Sequence, residues 1–122
     1  MASICLGTND FSGGDGPAPR SPFDPLQFIP AYVDFINTVH GYYPDAQIII
    51  TNTPMLDRQK NEILMDCLQK IKSQAEADIA GLKPMYIFSF SHEYHGGCMG
   101  HPSAEEQGKM AEEFYDFLKD KI

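Results

Sequence analysis

Residues 85–118 read MYIFSFSHEYHGGCMGHPSAEEQGKMAEEFYDFL, and this stretch decides how the rest of the chain is interpreted. The apolar run at residues 84–90 predicts a buried strand. The loop that follows carries three of the four histidines and one cysteine: His92, His95, Cys98 and His101. Ser103 and Glu106 then form the Ser-x-x-Glu pattern of a capping box, which predicts that a helix begins directly after Ser103. A strand, a polar loop and a helix in this order are typical of an α/β protein.

The chain upstream of that stretch alternates between strands and helices. Residues 3–6 and 46–51 are apolar runs bounded by glycine or proline, and each predicts a buried strand. The spacing of apolar residues predicts one helix from near Pro30 to Gly41 and another over about residues 57–80. The order β-α-β-α-β-α predicts an α/β protein with a parallel sheet flanked by helices. In such a fold the functional loops leave the carboxyl ends of the strands.

The cysteines and the last helix add expectations about the core. Cys5, Cys67 and Cys98 form neither an even set nor a Cys-x-x-Cys pair, so a disulfide scaffold is excluded. Cys5 lies in the first strand and Cys67 on the apolar face of the second helix, and both are predicted to be in the core. The last helix is predicted to bury a stripe of apolar residues: Met110, Ala111, Phe114, Phe117 and Leu118.

The composition limits the classes of function. The 122 residues carry a net charge of −8, and 43% of them are hydrophobic, which predicts one globular domain. Lys and Arg are not clustered, so binding to nucleic acid is disfavoured. No run approaches the roughly 18 apolar residues of a membrane span, and no signal-peptide pattern is present. An acidic surface suits a neutral ligand such as a sugar.

Two polar residues are candidates for chemistry at the predicted functional edge. His101 could act as a general base, because imidazole titrates near neutral pH, or it could simply pack against the start of the last helix. Asn9 follows the first strand and could donate its side-chain amide to a developing oxyanion, or it could form an Asx turn or helix cap. Local sequence alone favours the structural alternative at each position.

The histidine-rich loop also suggests a metal site. Imidazole and thiolate are ligand types that zinc prefers, and the loop supplies four of them at three-residue steps: His92, His95, Cys98 and His101. Gly96 and Gly97 would give this loop the freedom to wrap an ion. Zinc sites usually combine two separated segments, and equal steps on one loop make a tetrahedron awkward, so this alternative is the less favoured one.

Two motifs taken together resemble a known superfamily. GTND at residues 7–10 and HPS at residues 101–103 resemble the third and fifth motif blocks of the SGNH, or GDSL-type, hydrolases. The finer details resemble carbohydrate esterase family two, the acetyl esterases of plant polysaccharides. These details are GTNDFS at residues 7–12, YYPDA at residues 42–46, and Gly97-Cys98 ahead of the histidine.

The resemblance implies a role for each matching residue. His101 matches the base that deprotonates a serine nucleophile and then protonates the leaving sugar hydroxyl. Asn9 matches the residue whose side chain completes the oxyanion hole, while Thr8 and Asp10 match positions that shape the turn. The resemblance also implies a three-layer α/β/α, flavodoxin-like fold with a parallel sheet, an acetylated carbohydrate as substrate, an extracellular location, and no need for a metal or organic cofactor.

The sequence departs from the superfamily pattern in its nucleophile. The Gly-Asp-Ser block and a separate glycine block should lie upstream of GTND, yet only six residues precede Gly7. We therefore expect residues 1–122 to be the C-terminal part of one SGNH-type hydrolase domain, incomplete at its N-terminus. The expected partner is a missing N-terminal half or a homo-oligomer, and the isolated chain should hydrolyse little or no ester.

The sequence also departs from the superfamily pattern at the acidic residue of the Ser-His-Asp triad. Cys98 stands three residues before His101, where the superfamily usually has Asp, and Met99 stands where some family-two members are acidic. A Ser-His dyad oriented by a backbone carbonyl is therefore expected, unless Glu93 folds back to serve as the acid. Without the other half, a non-catalytic carbohydrate-binding fragment is the remaining alternative, in which Tyr94 could stack on a sugar ring.

Overall fold

The computed structural model describes all 122 residues, and its strands and helices alternate as predicted. The strands form one parallel sheet and lie side by side in chain order: β1 (Ala2–Cys5), β2 (Ile48–Thr51) and β3 (Tyr86–Phe88). The long helices follow the strands in turn: α1 (Pro25–Tyr42), α2 (Arg58–Asp78) and α3 (Ala104–Leu118). None of these helices is both long and apolar enough to cross a bilayer.

Strand β2 is the centre of the fold because it is covered on both faces. Its four residues are all buried, and Ile48 and Ile50 join the core cluster formed with α1 and α2. Ile4 of β1 pairs in register with Ile50 and points to the same face. A strand enclosed on both faces favours a continuous run of β-branched residues, which explains why residues 48–51 read Ile-Ile-Ile-Thr.

The helices lie on both faces of the sheet. Ile36 of α1 and Leu68 of α2 are fully buried in the cluster on one face. On the other face, Phe114 and Phe117 of α3 pack against Phe88, with ring centroids 5.1 and 5.0 Å apart. The prediction of an α/β/α arrangement around a parallel sheet is confirmed.

Helix α1 begins earlier than predicted. Asp24 is its N-cap, with a side chain that accepts a hydrogen bond from Leu26 N at 3.0 Å, and Pro25 occupies the first helical position. Pro30 lies inside the helix, where it is exposed and removes one backbone hydrogen bond. The helix runs to Tyr42, one residue beyond the predicted end at Gly41.

Three expectations about burial and strand length are corrected. Strand β3 is limited to three residues, and the apolar stripe of α3 contains no fully buried residue. Cys5 is exposed, whereas Cys67 is buried as predicted. Because α3 packs on the β3 side of the sheet, it leaves β1 open on that face, where Ser3 and Cys5 are both exposed.

Candidate active site

Asn9 and His101 lie on two loops at the same edge of the sheet. Asn9 follows β1 and His101 follows β3, so β2 runs between them. Since neighbouring strands are about 4.8 Å apart, the two strands that precede these residues are separated by about 10 Å. Both residues are exposed. The carboxyl edge of the sheet therefore carries both predicted residues.

The turn that carries Asn9 is held at several points. Gly7 has a φ of +130°, which favours glycine. Thr8 Oγ1 shares a hydrogen bond of 2.5 Å with Thr53 Oγ1 in the loop after β2. Arg20 Nη1 donates to the backbone carbonyl of Asn9 at 2.9 Å. The side chain of Asn9 makes no hydrogen bond, so the Asx-turn and helix-cap alternative is wrong and its amide is free to donate.

The backbone of His101 is fixed although its imidazole is free. Gly97 N donates to His101 O at 2.7 Å, and His101 N donates to Cys98 O at 3.1 Å. Between them, Met99 adopts the left-handed conformation, with φ 54° and ψ 33°. The histidine side-chain hydrogen bonds of this loop belong to His92 and His95, and none involves His101. His101 is exposed and lies two residues before the N-cap of α3, and its role as a base stays a prediction.

The predicted capping box is present, and its glutamate makes a further contact. Ser103 Oγ accepts from Glu106 N at 3.2 Å, and Glu106 Oε2 accepts from Ser103 N at 2.7 Å. The same carboxylate oxygen accepts from Gly96 N at 3.0 Å. The hydrogen bond from Ser103 N, supported by the one from Gly96 N, holds the pKa of Glu106 below its ordinary value.

A second glutamate of α3 anchors the first part of the loop. Glu113 accepts hydrogen bonds from Ser91 N and Ser91 Oγ, both at 2.9 Å, and from Tyr94 Oη. Burial opposes the ionisation of Glu113, but these hydrogen bonds outweigh it and lower its pKa. Tyr94 is only 7% exposed, so the prediction that it could stack on a sugar ring is wrong.

A buried asparagine joins the ends of β2 and β3 beneath these loops. Asn52, only 3% exposed, accepts from Phe90 N at 2.8 Å and donates to Asn61 Oδ1 at 2.9 Å. Its backbone N–H donates to Phe88 O at 3.1 Å. Its position directly after a buried strand is the only sequence signal that could have identified it.

The free side chains of Asn9 and His101 line separate cavities. A cavity of about 700 Å³ lies between Asn9 and the first half of α1, with Gln27, Phe28 and Phe35 in its wall. His101 borders a second, open depression formed by residues 97–99 and 101–104. Asn9 and His101 share no hydrogen bond. They lie at the same edge of the sheet but do not form one closed site.

The proposed zinc site is not formed. Nowhere in the chain do three His, Cys, Asp or Glu side chains come together in a way that could hold a metal ion. His92 Nδ1 lies 2.7 Å from Ser91 Oγ, and His95 Nε2 lies 3.1 Å from Glu93 Oε2. The loop is spread along α3 by Glu106 and Glu113, so the four candidate ligands do not converge.

The same geometry answers the question of the triad acid. The carboxylate of Glu93 lies against His95, and the ion pairs of histidine in this chain are His92 with Glu113 and His95 with Glu93. No carboxylate lies within 4 Å of the His101 imidazole. The expectation that Glu93 could replace the missing aspartate is therefore wrong in this structure.

Comparison with known proteins identifies a set of esterases. No family model matches the chain. It is 27% identical over 114 residues to an acetylxylan esterase/glucomannan deacetylase of Cellvibrio japonicus, covering 93% of this chain and 28% of that protein. A family two carbohydrate esterase from Clostridium thermocellum, solved in complex with cellohexaose, superimposes with a TM-score of 0.80 at 29% identity. That match covers 98% of this chain and 35% of the solved one.

A second solved structure extends the same likeness. The family two carbohydrate esterase from Cellvibrio japonicus matches with a TM-score of 0.74 at 25% identity, over 97% of this chain and 32% of that chain. The chain is thus similar in sequence and in fold to esterases of α/β architecture. More narrowly, the resemblance to carbohydrate esterase family two is confirmed. The chain spans about a third of the length of these relatives.

Proposed function

We propose that this chain provides the base and one oxyanion donor of an SGNH-type acetyl esterase, while the serine nucleophile lies outside these 122 residues. The observation that carries the proposal is the state of His101 and Asn9. Both side chains are exposed and have no hydrogen-bond partner, while their backbones are fixed by other residues. Polar side chains that are exposed and unpartnered, on a backbone that is held, are available to a substrate.

The chemistry follows from the two free groups. The imidazole of His101 removes the proton from the serine Oγ as that oxygen attacks the acetyl carbonyl. The Asn9 side-chain N–H donates to the oxyanion of the tetrahedral intermediate. His101 then returns the proton to the departing sugar oxygen, and a water molecule hydrolyses the acetyl-enzyme by the same steps. No serine of this chain is hydrogen-bonded to His101, which supports an external nucleophile.

The proposed machinery is a dyad. No carboxylate is close to His101, so its orientation depends on the backbone segment that carries it. An imidazolium without a neighbouring carboxylate is less stabilised, and the oxyanion donors then carry a larger share of the rate enhancement. We therefore expect the Asn9 side chain to supply a large part of the rate enhancement.

We further propose an acetylated plant polysaccharide or sugar ester as the substrate, and an extracellular location. The support comes from the relatives, which are named as a carbohydrate esterase with bound cellohexaose and as an acetylxylan esterase/glucomannan deacetylase. The net charge of −8 agrees with a neutral sugar ligand.

The direct test of the missing nucleophile compares two proteins. The first is this chain alone; the second is a chimera in which it replaces the matching third of the Clostridium thermocellum esterase. With an aryl acetate, the chain alone should show only background hydrolysis and the chimera should turn over. Clear turnover by the chain alone that disappears in His101→Ala would contradict an external nucleophile.

A second candidate is non-catalytic carbohydrate binding. One similar solved protein, 27% identical, is described as having an active site with divergent catalytic and non-catalytic binding functions. The cavity beside Asn9 offers the partly exposed ring of Phe35 and the amide of Gln27, which suit a sugar face and its hydroxyls. Binding of a cello-oligosaccharide by the chain alone, weakened in Phe35→Ala, would favour this candidate.

A further inference from the structure

We propose that Glu106 is a positioning residue for His101, and that it takes over part of the orienting task of the absent triad acid. This inference rests on the proposed role of His101 as the base. The carboxylate of Glu106 receives N–H groups from both ends of the segment that carries His101: Gly96 N at 3.0 Å and Ser103 N at 2.7 Å. The segment is thereby closed into a loop of eight residues.

Inside this loop a second bridge fixes the histidine itself. Gly97 N donates to His101 O at 2.7 Å. Glu106 thus holds Gly96, and the adjoining Gly97 holds His101. A displacement of Gly96 therefore also moves Gly97, whose N–H binds the histidine carbonyl. A helix cap alone would require only the two bonds between Glu106 and Ser103. The bond to Gly96 is additional and serves the loop.

Both glycines allow a close approach, and the one at Gly97 is the stricter because it involves backbone atoms. A Cβ on Gly96 would lie 2.9 Å from Glu106 Oε1, and a Cβ on Gly97 would lie 2.8 Å from His101 O. The glycine pair therefore allows the carboxylate and the histidine carbonyl to reach the backbone. The fixed backbone limits the region that the imidazole can reach, since only its own side-chain torsions remain free.

The test uses the chain as it exists, with NMR of isotopically labelled protein. In Glu106→Gln a neutral amide oxygen replaces the carboxylate oxygen that accepts from both Gly96 N and Ser103 N, so both hydrogen bonds lose their charge assistance. We expect the Gly96 amide, which donates to the carboxylate, to exchange about tenfold faster or more, and the adjoining Gly97 amide to exchange faster with it. We also expect the His101 amide, which donates to Cys98 O at 3.1 Å, to exchange faster than in the parent chain. Glu106→Asp, which is too short to span both ends, should act in the same direction.

The matched control separates positioning from helix capping. Ser103→Ala removes the bond from Glu106 N to Ser103 Oγ but keeps both backbone donors of the carboxylate. Glu112→Gln makes the same change of charge on an exposed turn of α3. If only the Glu106 variants mobilise His101, the proposal stands. If Ser103→Ala mobilises it equally, or if neither Glu106 variant does, the proposal is overturned. Neither result depends on esterase activity, so a failed esterase test remains a separate outcome.

Discussion

Gly97 N donates a hydrogen bond of 2.7 Å to the carbonyl oxygen of His101, four residues further along the chain. The contact closes a tight turn directly before α3 and holds the backbone of the proposed base. It exists only because residue 97 has no side chain, since a Cβ would lie 2.8 Å from the same oxygen. Replacing Gly97 is therefore the sharpest way to disturb His101 without changing it.

Gly97→Ala should destabilise the fold by about 1–3 kcal/mol, because the added methyl group forces backbone atoms apart. In the chimera described above it should also lower kcat by at least about tenfold, a factor worth 1.4 kcal/mol. Urea unfolding and aryl acetate kinetics measure the two effects. Gly13→Ala is the control, because nothing lies within 4 Å of a Cβ at that position. Equal behaviour of the two variants would contradict the close-approach explanation.

Met99→Gly should stabilise the chain. Met99 holds a left-handed backbone conformation that costs a residue with a side chain about 1 kcal/mol, while its side chain is 92% exposed and contributes little packing. We expect a rise of roughly that size in the free energy of unfolding, and no rise for Met99→Ala, which keeps the strain. A destabilised glycine variant would show that the methionine side chain makes contacts that matter.

The stability of the fold should depend on pH through Glu106 and Glu113, the two glutamates that hold the loop before α3. Hydrogen bonds lower the pKa of Glu106 and Glu113 in the folded protein, so both groups bind protons more weakly when folded. Their stabilising contribution is complete above the unfolded-state pKa of about 4.3, and it is lost as the pH falls through the lower folded-state values. Unfolding measured between pH 6 and pH 3 should show this loss.

Glu113→Gln provides the control for that pH dependence. The variant has no carboxylate to protonate at residue 113, so its stability should change less than that of the parent chain between pH 6 and pH 3. Glu112→Gln, at a neighbouring exposed position, should retain the full dependence. If all three proteins lose stability in parallel, the acid sensitivity arises elsewhere.

Leu68→Ala should destabilise the fold by about 2–5 kcal/mol, because Leu68 is fully buried between α2 and the sheet. Leu26→Ala, at a position that is 85% exposed, should change the free energy of unfolding by less than about 0.5 kcal/mol. Urea titrations of both variants measure the difference. Similar values for the two would mean that α2 does not pack on the sheet as described.

The elements with strong local signals were predicted correctly. The Ile-Ile-Ile-Thr run of β2 has no competing interpretation, and the capping box of Ser103 and Glu106 defines the start of α3. The sequence places the start of α1 too late, because Pro30 fits a helix start and Asp24 with Pro25 fits one equally well. Local patterns rank such alternatives poorly when two prolines compete.

Burial and loop contacts were harder to predict, since they depend on elements distant in sequence. Cys5 was expected in the core, but its exposure depends on how far α3 extends across the sheet. The buried position of Tyr94 follows from Glu113, nineteen residues away. The capping box explains Glu106 fully at the level of sequence, so its hydrogen bond with Gly96 N is not predictable. The Gly96-Gly97 pair indicates flexibility in the sequence, whereas in the structure it allows close approach.

The most direct test of the central claim is the rate of aryl acetate hydrolysis by the chimera, with His101 present and with His101→Ala. We expect the chimera to hydrolyse the ester. We expect His101→Ala to lower its kcat by at least about a hundredfold, the smallest effect expected of a general base. Asn9→Ala should lower it by about a hundredfold to a thousandfold, as for other oxyanion donors. An active chimera that keeps its full kcat after His101→Ala would contradict the role of His101 as the general base.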